Sequence, residues 1–127
     1  MKQMGTTRRQ SHHQKNDMKE APSVSDLAFH ILLALGDGPS HGYAIGRDVE
    51  ERSNGRLDPT TGALYQSLRR LADDGLIAPA SAPPEADPRR KYFALTAFGR
   101  RAAAEETRRL EALVRTARQR KLYPQRA

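Results

Sequence analysis

Leu64, Leu68, Leu71 and Ala72 recur at i, i+4, i+7 and i+8, a spacing that a helix gathers into one apolar face. They lie in DPTTGALYQSLRRLADDGLI, residues 58–77. Asp58 before Pro59 reads as an N-cap followed by proline at the first helical position, with Thr60 as a rival cap. Gly75 reads as the stop. At about 100° per residue the leucines define the inward side. Gln66 and Gly62 fall nearly opposite, Tyr65 and Ala63 on the shoulders, Arg69 and Arg70 beside them. The outward surface is bare at its start, carries an amide midway, and is cationic later.

The elements around this helix limit the fold. Ser23-Val-Ser-Asp26 resembles a capping box, and LAFHILLAL, 27–35, is apolar on nearly every side, as a mostly buried helix would be. Gly36-Asp-Gly-Pro39 ends it. Ser40 can cap a second helix over roughly 41–53, with Tyr43, Ile45 and Val49 as its apolar stripe and Gly42 allowing close helix approach. Asn54-Gly55 is a turn signal, and Leu57 is expected to be buried. Leu76-Ile-Ala and Arg89–Leu95 read as two strands around the proline-rich ASAPPEADP, a hairpin with a long loop. Thr96 can cap a final helix over about 97–122. Its apolar positions Ala103, Leu110, Leu113, Val114 and Ala117 form a narrow seam among arginines, which requires a single partner surface. Three helices, a hairpin and a long helix are the parts of a mainly α, winged helix-turn-helix fold.

The chain has 127 residues and a net charge of +7. Residues 1–22 carry +3, residues 23–95 carry −2 and residues 96–127 carry +6. We read these as a disordered basic arm, a winged helix-turn-helix domain, and a dimerisation helix with its tail. The total suits a polyanionic partner, but any contact surface on the central domain must be a local cluster. The absence of cysteine excludes disulfides, a thiol nucleophile and thiolate metal sites, and matches a reducing cytoplasm. No apolar run reaches membrane-span length, and the N-terminus lacks the apolar core of a secretory signal. His12-His13 lacks further ligands for a metal. Glu105-Glu106 and Asp73-Asp74 read as exposed carboxylates near arginines rather than a catalytic pair. With no nucleophile–base set, neither an enzyme nor a cofactor is expected.

A helix entering the major groove needs small residues at its start, because its first turns approach base edges and phosphates. Gln pairs with adenine and Arg with guanine, and Arg89, Arg90 and Lys91 at the hairpin base suit phosphate contact. An ordinary amphipathic helix has the same period, its outer residues merely solvated. A winged helix that binds protein, or one that binds RNA, shares the same elements.

Three segments carry a family resemblance: ILLALGDGPSHGYAI (31–45), GALYQSLRRLADDGLI (62–77) and RRKYFALTAFGRR (89–101). In this order and spacing they resemble the PadR-like transcriptional regulators of bacteria. The resemblance implies a homodimeric winged-helix repressor or activator of transcription, with a repressor on a pseudo-palindromic operator of double-stranded DNA as the expectation. It implies dimerisation through the last helix, at Ala103, Leu110, Leu113, Val114 and Ala117, and a small-molecule effector near the dimer interface. Carried over by position, Thr60, Thr61, Gly62, Ala63 and Tyr65 would meet DNA, joined by Gln66 and Arg69 on the same face. Arg89, Arg90 and Lys91 would belong to the wing. Thr60-Thr61 stands where members usually have Ser-Pro, and Gln66 replaces a frequent proline or small residue. The chain has no tryptophan, on which some members stack planar ligands.

Overall fold

Each helix begins where a side chain satisfies a backbone N–H that the helix itself leaves orphaned. The computed structural model describes Ala21 and residues 24–124. In chain order the elements are α1 (Asp26–Ala34), β1 (Ser40–His41), α2 (Gly42–Arg52), α3 (Thr61–Asp73), β2 (Ile77–Ala80), β3 (Tyr92–Leu95) and α4 (Ala97–Gln119). Ser25 Oγ accepts from Ala28 N–H at 3.1 Å, His41 Nδ1 from Ala44 at 3.3 Å, Thr60 Oγ1 from Ala63 at 3.1 Å and Thr96 Oγ1 from Gly99 at 2.9 Å. Two caps differ from expectation, and at α3 the rival candidate is the cap. Ser25 caps α1, one residue before Asp26, while Ser23 lies outside the described residues, as do His12 and His13. His41 rather than Ser40 caps α2, because the helix starts one residue later than expected, at Gly42. Thr60 rather than Asp58 caps α3, so Pro59 precedes the helix.

The sheet has three strands in the order β1-β3-β2, all antiparallel. The expected hairpin is β2 and β3, with Ile77 opposite Leu95 and Ala80 opposite Tyr92. Pro79 sits in β2, an edge strand where its missing N–H is tolerated. The second strand starts at Tyr92, which leaves Arg89, Arg90 and Lys91 in the loop before it. Gly55 and Gly75 have positive φ at the ends of α2 and α3, and Asn54 shares that conformation.

One core joins all the helices: Ile31, Leu32, Leu35, Ile45, Val49, Leu64, Leu68, Leu71, Leu76, Ile77 and Ala102. Leu57 packs partly against it. Gly99 lets α4 lie directly on the chain leaving α3. A Cβ there would overlap the Leu76 carbonyl oxygen and come within 2.9 Å of its carbon. Thr96 fastens the same junction, donating its hydroxyl to the Gly75 carbonyl at 2.6 Å.

Two residues depart from the sequence reading. Tyr43, expected in the core, is 62% exposed. The buried stripe of α2 is Gly42, Ile45 and Val49, and Tyr43 lies about 200° around the helix from Ile45. Glu106, expected on an exposed face, is buried. It follows Gly99 and Ala102 on the inward side of α4, and Arg109 Nε donates to its Oε1 at 3.0 Å. That hydrogen bond, ahead of the opposing effect of burial, holds the Glu106 carboxyl below its usual range.

Thr96 both caps α4 and ties it to Gly75. Thr96→Ala is expected to lower unfolding stability by about 1–2 kcal/mol in urea titrations, while Thr96→Ser should retain most of it. Equal losses for both variants would count against the hydroxyl's role.

Candidate nucleic-acid interface

Burial of Leu64, Leu68 and Leu71 turns the opposite side of α3 outward. Thr60, Thr61, Gly62, Ala63, Tyr65, Gln66 and Arg69 are all exposed. Gly62 has open space where a Cβ would stand, so the start of the helix is as bare as its sequence suggests. Gly42, at the start of α2, lies against Tyr65. A Cβ on Gly42 would overlap the phenol oxygen and reach 2.7 Å from Cζ. Tyr65 is therefore 43% exposed, with one side of its ring covered by α2.

The wing reaches the same place from the other direction. Arg90 Nη1 stands 3.0 Å from His41 Nδ1, and its guanidinium lies 5.6 Å from the Tyr43 ring centre. Arg47 approaches that ring from 6.0 Å. Tyr92 of β3 meets the His41 ring edge-on, with centres 5.2 Å apart. Residues 41–43 thus touch Arg90 on one side and Tyr65 on the other, which brings the outward face of α3 and the wing base onto one surface. Tyr43 and Arg47 belong to this surface and were not among the expected site residues. The spacing of Ile45 and Val49 is the signal that could have placed Tyr43 outside.

The cations at this surface are not equivalent. Arg89 is folded back on Asp87, with Nε and Nη2 at 3.2 and 3.0 Å from its carboxylate. This contact holds the Asp87 carboxyl below its usual range. Arg47 pairs with Glu51 at 3.4 Å and Arg52 with Asp48 at 3.2 Å. Arg69, Arg90 and Lys91 are exposed and form no ion pair within 4 Å among the described residues, although the Arg90 charge also helps to hold the Asp87 carboxyl down. A guanidinium without an ion pair gives up no carboxylate when it meets a phosphate, whereas Arg89 must first leave Asp87. Arg90 gives up only its contacts with His41 and Tyr43.

The seam of α4 divides in two. Ala103 packs against the chain's own core. Leu113 and Val114 are 54% and 44% exposed. With Phe29 of α1, Leu110 and Val114 line a cleft of about 610 Å³. Among the described residues no group of three His, Asp or Glu is placed to hold a metal ion, and no helix is long and apolar enough to cross a membrane.

His41 gives the surface a pH response. Its Nδ1 accepts the Ala44 N–H, a role that only the unprotonated nitrogen can fill. Burial first, then the Arg90 charge, holds the imidazole below its ordinary value of 6.5. As pH falls through that value, the unfolded chain takes up a proton that the folded chain resists, so stability present above it is lost below. The melting temperature is expected to fall as pH drops from about 6.5 toward 5. His41→Asn, which can still cap α2, should flatten that slope. An unchanged slope in the variant would rule out His41 as its source.

A model of the transcriptional regulator PadR-like family matches residues 31–105. An uncharacterized 37.1 kDa protein in transposon Tn4556 of Streptomyces fradiae is 42% identical over 77 residues. That match covers 61% of this chain and only 21% of that protein, so this chain corresponds to a small part of its length. The transcriptional regulator Rv3488 of Mycobacterium tuberculosis is 37% identical over 89 residues, covering 70% of this chain and 79% of the relative. The structure of Bacillus subtilis PadR in complex with operator DNA shares the fold, with a TM-score of 0.57 and 23% identity over 65% of this chain and 47% of that one. The leucine-backed third helix, the wing beside it and the matched segment from 31 to 105 agree: the chain belongs to the PadR-like family of transcriptional regulators, not to a family of enzymes.

Proposed function

We propose that this chain binds double-stranded DNA as a homodimer and acts as a cytoplasmic repressor of transcription. The observation that carries the reading is the joint surface of α3 and the wing. Tyr65 stands against Gly42, bare Gly62 and Ala63 lie ahead of it, exposed Arg69 follows one turn on, and Arg90, beside exposed Lys91, lies over the ring of Tyr43 next to Gly42. Backbone approach at Thr60, Thr61, Gly62 and Ala63, an amide at Gln66 and a guanidinium at Arg69 supply the chemistry of base and phosphate contact. Bacillus subtilis PadR, which shares the fold, was solved with operator DNA, and this supports the same class of partner here. Of the three wing cations, Arg90 and Lys91 contribute most and Arg89 least, because Asp87 already holds Arg89.

Dimerisation rests on the outer apolar part of α4, exposed Leu113 and Val114 with half-buried Leu110 and Ala117, and Ala103 at its inner end. Burying such a seam against a second copy removes Leu113 and Val114 from water. Two recognition helices then enter successive major grooves about 34 Å apart on a pseudo-palindromic operator. The cleft between α1 and α4 would receive a small-molecule effector that releases the DNA. The basic residues of 1–22 add affinity that is not specific to sequence and steepen its salt dependence.

In gel-shift titrations Tyr65→Ala/Arg69→Ala is expected to weaken binding to a selected duplex by about tenfold or more. Arg90→Ala should reduce the slope of log affinity against log salt by about one. Undiminished binding by the double variant would refute the assignment. A chain that shifts no DNA and responds little to salt would instead support protein binding by a domain whose residues 23–95 carry a net −2. Sedimentation should find a dimer at micromolar concentration and a monomer for Val114→Asp. A wild-type monomer would refute the dimer.

A further inference from the structure

We infer that Gly42 is a positioning residue for DNA recognition, because the missing side chain at this position sets where the Tyr65 phenol stands. The inference rests on the proposal that Tyr65 meets DNA. Gly42 is buried at the first turn of α2, and a Cβ there would overlap the Tyr65 Oη and lie 2.7 Å from Cζ and 3.0 Å from Cε1. One turn later a Cβ on Gly46 would lie 3.2 Å from Leu64 Cδ2. Positions 42 and 46 therefore admit two consecutive side chains of α3, one from its core face and one from its outer face. The core contact involves a leucine locked in packing. The outer contact involves the far end of a half-exposed tyrosine.

That difference separates stability from recognition. A methyl group at position 42 is accommodated if the phenol swings away into solvent, which breaks no core contact. Alanine is also the better helix former. The thermal stability of Gly42→Ala should therefore stay close to wild type. The phenol, however, leaves its place against Gly42, whose neighbour Tyr43 carries Arg90 from the wing. A hydrogen-bonding group displaced from the interface loses its contact although the protein remains folded.

The test is a double-mutant cycle on the full chain, titrating the duplex that wild type selects from a random pool, with melting temperatures measured alongside. Tyr65→Ala and Gly42→Ala are each expected to weaken binding about tenfold, and the double variant no more than Tyr65→Ala alone. The melting temperature of Gly42→Ala should match wild type within a few degrees. Wild-type affinity for Gly42→Ala would overturn the inference, and so would losses that multiply, since Gly42 would then act apart from Tyr65. If Gly42→Ala does not fold, the inference requires Tyr65→Ala to restore folding in the double variant, and failure to do so overturns it. Wild-type binding by Tyr65→Ala removes the Tyr65 contact itself, and the inference falls with it.

Discussion

Burial of the leucine face of α3 is the constraint on which the rest of the structure depends. Leu64, Leu68 and Leu71 are almost wholly removed from water, at a gain of about 1.5–3 kcal/mol each relative to exposure. That gain fixes the helix's rotation about its own axis. A turn of about 100° would expose a leucine and bury Arg69 or Arg70 without partners, a cost of several kcal/mol. The residues proposed to meet DNA are therefore held outward by what the opposite face buries.

A second constraint is charge. The central segment has a net −2, and several of its arginines are already matched by acids on the same helix or loop. Exposed ion pairs of this kind contribute little stability, but they decide which cations remain available. Arg69, Arg90 and Lys91 remain so. Arg90 is also the residue that anchors the wing against His41 and Tyr43. Position and charge thus converge at one side chain, and local placement does what overall basicity does not.

The sequence made the helices legible because periodicity and caps are local signals. The face of α3, the turn at Asn54-Gly55, the stop at Gly75 and the Thr96 cap can all be read from a few residues. Strand β1 could not be read, since two residues carry no period and Ser40 and His41 look like a cap. Tyr43 was misplaced because an aromatic beside Ile45 suggests core, although the angle between them says otherwise. Glu106 was misplaced for the opposite reason: a carboxylate among arginines suggests solvent, while its i+4 relation to Ala102 turns it inward. The contact between Gly42 and Tyr65 joins residues 23 positions apart. No sequence signal carried it beyond a glycine that permits close approach.

The central claim is that the outward face of α3, with the wing, reads duplex DNA. Selection of bound duplexes from a random pool, followed by competition against unselected duplex, tests it most directly. The account predicts enrichment of an inverted repeat with half-sites about one helical turn apart, bound at least about a thousandfold more tightly than unselected DNA. A pool that emerges without a shared motif, or binds no better than unselected duplex, would contradict it.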